Sequence, residues 1–155
     1  MRNGSGYLVA LGALSAAPLL LGAAPAAQGQ DGADVRVTIS GLRSQAGVVR
    51  ACMTTQPGRF PQCRGDGTSF RVVVPAGEAR VLDFGTVPAG RYAIALLHDE
   101  NGNGKADRAV SMIPLEGYGF SRDAKVRMGP PRFEEAAFVV GGRPVRQAIH
   151  MRYML

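Results

Sequence analysis

Val87-Pro-Ala-Gly-Arg-Tyr-Ala-Ile-Ala-Leu-Leu-His-Asp-Glu-Asn-Gly-Asn-Gly-Lys-Ala-Asp107 is the stretch on which the reading of this 155-residue chain turns. It joins a turn, a strand and a polar loop. Pro88 pre-sets one turn dihedral and Gly90 permits an unusual one. Tyr92 then opens a strand in the way a tyrosine packs across the corner of a small sandwich domain. From Arg91 to Leu97 nearly every position is apolar, which predicts a central strand covered on both faces. The strand runs into a loop where Asp99, Asn101 and Asn103 alternate, followed by Gly104 and Asp107.

Outward from that stretch the chain alternates short strands with Gly- and Pro-rich turns. Val35–Ile39 alternates apolar and polar residues, and Val48–Met53 follows after a polar turn, so the two read as a hairpin. Phe70–Pro75 and Arg80–Phe84 are further strands, and Val110–Ile113 is a short one. Pro114–Phe133 reads as a long irregular loop, with Gly117 and Gly119 marking close backbone approach around Tyr118. Glu134–Val140 regains strand character. After Gly141-Gly142 the last strand places Val145, Gln147, Ile149, Met151 and Tyr153 on one face, and Arg146, Ala148, His150 and Arg152 on the other. No window beyond the N-terminal segment predicts an amphipathic helix. The fold expectation is all-β: a single antiparallel β-sandwich of about seven strands, immunoglobulin-like or transthyretin/Cna-B-like, with a long irregular loop at one end.

Met1-Arg2, an apolar run from Tyr7 to Leu21 and the small residues up to Ala27 have the form of a secretory signal peptide, with cleavage after Ala26 or Ala27. The apolar run is short for a membrane anchor, so no stable span is expected after cleavage. The domain then occupies residues 28–155, enough for one modest core, in the periplasm or secreted. Arg2 leaves with the leader, so 17 of the 18 basic side chains remain against 12 acidic ones, a net of +5. They are scattered singly and lack interleaved aromatics, which excludes a nucleic-acid surface.

Cys52 and Cys63 are the two cysteines. An even pair in an oxidising compartment reads as a disulfide. A metal pair would need more soft ligands, and a redox pair the closer Cys-x-x-Cys spacing. Such a bridge closes a loop of about a dozen residues and stabilises the fold by roughly 3 kcal/mol.

The acidic loop fits a Ca²⁺-loop spacing. Ligands there come from positions one, three and five, a Gly stands at six, the seventh offers its backbone carbonyl, and the ninth is often acidic. Asp99, Asn101, Asn103, Gly104, Lys105 and Asp107 fill those places. The twelfth position, usually a bidentate Glu, is Val110, and Glu100 or Glu116 is the nearby carboxylate that can substitute. Ca²⁺ is the one cofactor the sequence suggests. The plainer reading of Asn101-Gly-Asn-Gly104 is a tight turn. His98, Glu116, Tyr118, Phe120 and Phe133 form a candidate ligand surface beside the loop; the alternative is that the aromatics cap the sandwich. His98 with Glu100 or Glu116 would be the acid–base pair of a small hydrolase or isomerase, with Ser111 or Ser121 as nucleophile. No nucleophile-elbow spacing supports that chemistry.

Pro88–Asp107, then Ile113-Pro-Leu-Glu-Gly-Tyr-Gly-Phe-Ser121, then Gly129-Pro-Pro-Arg-Phe-Glu-Glu-Ala136, in this order, closely resemble the exported bacterial family of domain of unknown function 2141. The resemblance spans nearly the whole mature chain and departs from the usual pattern at Met112, where a Gly often precedes the Ile-Pro. It implies an exported sandwich-like domain and brings no catalytic residues. The expected function is a non-enzymatic module, monomeric, that binds a ligand or protein of the cell envelope. A hydrolase or isomerase and a structural or adhesion domain are the alternatives.

Overall fold

The computed structural model describes residues 32–107 and 115–154. The leader, its cleavage site, the strand expected at Val110–Ile113 and the residues Ser111 and Met112 lie outside them. Eight strands are present in the described residues: β1 (Gly32–Ser40), β2 (Val48–Thr54), β3 (Phe70–Pro75), β4 (Val81–Pro88), β5 (Gly90–Asp99), β6 (Gly117–Phe120), β7 (Phe138–Val140) and β8 (Val145–His150). They form two sheets, β4-β1-β8 and β3-β2-β5-β6, with β7 added to the start of β5. The fold is the expected all-β sandwich. All pairs are antiparallel except β1 with β8, which run parallel.

The core follows the period-two pattern. Val35 and Val37 of β1, Leu82 of β4 and Ile149 of β8 face Val49 and Met53 of β2 and Ile94 and Leu96 of β5, each almost fully buried. The β5 residues at odd positions point the other way. There Ala93 and Ala95 lie under a second, smaller core of Phe120, Phe133, Ala136 and Ala137. β5 is therefore central and covered on both faces, as its continuous apolar run predicts. The Tyr92 hydroxyl donates to the Pro88 carbonyl at 3.1 Å, which closes the tyrosine corner.

Three local expectations are corrected. β1 and β2 do not form a hairpin: β1 pairs with β4 and β8, β2 with β3 and β5. Alternation tells which face of a strand is buried, and two such faces can meet across a sandwich as well as side by side. The stretch read as irregular contains β6, whose two glycines leave too few β-branched residues for a strand signal. The first part of Glu134–Val140 belongs to one helical turn, α1 (Phe133–Ala136), with the Glu135 carboxylate accepting the Arg132 N–H at 2.7 Å. Only Phe138–Val140 is strand.

The Cys52–Cys63 disulfide is formed, with Cα atoms 6.4 Å apart. No helix among the described residues is long and apolar enough to cross a membrane.

Candidate functional site: the loop between β5 and β6

β5 ends at Asp99, where the chain leaves the sheet. Asp99 is fully buried at this end. One carboxylate oxygen accepts the Asn103 N–H at 3.0 Å; the other accepts the Gly104 N–H at 2.9 Å and the Arg50 Nε at 2.6 Å. Burial works to raise the Asp99 pKa. Arg50 and the two backbone donors outweigh it, so the carboxyl is held below its ordinary value. Two further side chains fold inward on their own backbone. Asn101 Oδ1 accepts the Asn103 N–H at 3.0 Å, and Asn103 Oδ1 accepts the Lys105 N–H at 2.7 Å. Gly104 has φ +75°, the left-handed conformation that glycine adopts without strain. Lys105 itself is exposed.

Asp107 closes the loop. Its Oδ2 accepts Nδ2 of both Asn101 and Asn103 at 2.7 Å. The four side chains that the spacing selected, Asp99, Asn101, Asn103 and Asp107, thus converge on one region. Among the described residues no three His, Cys, Asp or Glu side chains are grouped to hold a metal ion by themselves. A cation here would rely on the amide and backbone oxygens as well as the carboxylates.

Glu116 stands on the opposite side of the excursion. Its Oε2 accepts the Asp107 N–H at 3.2 Å, and the Leu115 N–H returns to the Asp107 carbonyl at 3.0 Å. Its Oε1 is buried and has no hydrogen-bond partner. Burial foremost, then the neighbouring charges of Asp99 and Asp107, push the Glu116 carboxyl above its ordinary pKa, against the Asp107 and Glu100 backbone N–H groups, which work to lower it. Glu100 is the opposite case. Arg43 hydrogen-bonds it at 2.5–3.3 Å and Ser44 at 2.7 Å, and Arg43 foremost holds its carboxyl at about 2. Glu100 thus anchors the β1–β2 connection to the end of β5.

His98 is fully buried. A carbonyl only accepts, so Nε2 carries the proton toward the Ala46 carbonyl at 2.8 Å. Nδ1 then accepts the Tyr153 hydroxyl at 2.7 Å, and that oxygen accepts the Arg43 N–H at 3.2 Å. Gly117 makes this arrangement fit, because a Cβ there would overlap the Tyr153 ring. Both ring nitrogens are committed inside the fold, so His98 is a structural residue and not part of an open ligand surface. Phe120 and Phe133 are likewise withdrawn from such a surface. Each is only 5% exposed, and Phe60 packs on them edge-on at 5.8 and 6.1 Å. Tyr118, half-buried, leans on Phe120. Ser121 is fully buried, accepting the Ile94 N–H and donating to the Ala136 carbonyl, which leaves it no role as a nucleophile.

Sequence reasoning gave no role to Arg43, Ser44, Arg50 and Tyr153, which position the site. Their partners are 49 to 110 residues away, so no local pattern could mark them.

Comparison with curated proteins and with solved structures yields no match. The family described as "Uncharacterized protein conserved in bacteria (DUF2141)" matches over residues 37–148, which takes in both sheets and the β5–β6 loop. A match over that share of the chain places the protein in that family.

Proposed function

We propose that this protein is an exported, non-enzymatic binding module of the cell envelope whose β5–β6 loop takes up Ca²⁺ and, so ordered, presents the end of the sandwich to a ligand or partner. The observation that supports it is the convergence of Asp99, Asn101, Asn103 and Asp107, with Gly104 in the left-handed turn between them. Oxygen-only donors suit a hard cation such as Ca²⁺ better than a transition metal. Backbone donors already aim the Oδ1 atoms of Asp99, Asn101 and Asn103, and an oxygen accepting one N–H keeps a lone pair for a metal. Few of these ligands are charged, so the reading is of a weak site, of the kind used outside the cell, where Ca²⁺ is abundant. The disulfide is compatible with that compartment.

The test is a Ca²⁺ titration followed by calorimetry and thermal unfolding. Free Ca²⁺ at one hundred times its Kd should stabilise the fold by about 2.7 kcal/mol. No heat and no shift at millimolar Ca²⁺ would remove the proposal.

A further inference from the structure

We infer that Glu116 is the carboxylate ligand that completes the Ca²⁺ site of the β5–β6 loop, reaching it from the β6 side in place of the loop's own twelfth position. The inference rests on the Ca²⁺ reading above and adds a residue that the loop pattern does not contain.

The register of β5 on β6 brings the two acids to one place. β5 and β6 pair Leu97 with Tyr118 and His98 with Gly117. One step further along both chains come Asp99 and Glu116. Facing residues of an antiparallel pair point to the same side of the sheet. Glu116, Tyr118 and Phe120 accordingly alternate with the two buried glycines, and the carboxylates of Asp99 and Glu116 emerge on one side at the mouth of the strand pair. The twelfth position of the loop is Val110, whose side chain has no oxygen. The missing carboxylate is instead supplied across the sheet.

The state of that carboxylate points the same way. Glu116 is 5% exposed, and Oε1 has no hydrogen-bond partner. Buried carboxylates in proteins are paired or coordinate metals. Arg50 is paired with Asp99, and Arg43, whose charge is felt at Glu116, hydrogen-bonds Glu100 and the Leu115 carbonyl. Asp99 and Asp107 add negative charge beside Glu116. A cation held by Glu116 Oε1 together with the loop's amide and carbonyl oxygens would give that oxygen its partner and offset the negative charge beside it.

The experiment compares Ca²⁺ binding by the parent protein and Glu116→Gln in the same calorimeter. Gln keeps the shape and removes the charge, so the expected result is at least a tenfold loss of affinity with an undiminished metal-free melting temperature. If Glu116→Gln binds Ca²⁺ as tightly as the parent, the inference falls and the loop reading stands. If the parent binds none, both fall. The Glu116 side-chain carboxyl ¹³C resonance of the parent gives a readout without substitution. It should shift on saturation with Ca²⁺, and a resonance that stays in place under saturating Ca²⁺ overturns the assignment.

Discussion

Two long loops, at 55–69 and 100–116, treat their buried acids in opposite ways. The loop at 55–69, between β2 and β3, is tied covalently through Cys63 to Cys52. Its buried acid, Asp66, accepts from the Thr54 hydroxyl at 2.5 Å, the Gln56 amide at 3.0 Å, and the Thr68 N–H and hydroxyl at 3.0 and 2.7 Å. Those donors, the Thr54 hydroxyl first, hold its carboxyl below the ordinary value. The same loop lays Phe60 over Phe120 and Phe133. The loop at 100–116 has no covalent tie. It satisfies Asp99 with three donors, yet leaves a Glu116 oxygen buried with none. A loop whose buried acid is fully hydrogen-bonded is finished as structure. One that keeps a carboxylate oxygen without a donor beside two further acids lacks a positive partner.

The comparison can be broken at its strongest point first. Replacing both cysteines by alanine should cost about 3 kcal/mol in urea unfolding, and Ca²⁺ should stabilise that variant as much as it does the parent. A lost Ca²⁺ response would mean the two loops are one unit. Next in size is Asp99→Ala, which strips Arg50 and two backbone N–H groups of their acceptor. It should lower stability by about 2 kcal/mol and abolish the Ca²⁺-dependent shift in melting temperature. A variant that is destabilised but still responds would show the Asp99 carboxylate to be a brace alone.

Acid titration of unfolding separates the two glutamates of the second loop. Glu100 has a folded pKa of about 2 against an ordinary 4.5, so its contribution is fully present above 4.5 and is lost as pH falls toward 2. Glu100→Gln should flatten that acid limb. Glu116 has the opposite sign. With its folded pKa above 4.5, its contribution is present below 4.5 and is lost as pH rises through the folded value. Metal-free Glu116→Gln should therefore be more stable than the parent at neutral pH, by about 1 kcal/mol. Smallest of all is Lys105→Ala, which should change stability by less than about 0.5 kcal/mol. It should leave Ca²⁺ affinity nearly unaltered, because only the backbone carbonyl of that position is asked to bind.

Much of this architecture was legible in the residues. β5 announced itself by a continuous apolar run, and the tyrosine corner by Pro88, Gly90 and Tyr92. The alternation along the last strand marked the correct buried face, with Ile149 buried in β8 and Met151 buried just beyond its end at His150. The loop spacing picked out the four side chains that converge. Each of these signals is local, set by side-chain periodicity, turn dihedrals or oxygens a fixed number of residues apart.

Tertiary structure alone decided the rest, because it depends on residues far apart in the chain. Pairing across the sandwich separated β1 from β2 and set β8 parallel beside β1. The second core took Phe120 and Phe133 from the candidate ligand surface, and contacts with Ala46 and Tyr153 turned His98 from a candidate ligand into a brace. Glu116 shows the division most clearly. Its identity and its nearness in sequence to the loop could be read directly. Its place one step beyond the His98–Gly117 pair, its burial and the oxygen left without a donor belong to the tertiary structure alone.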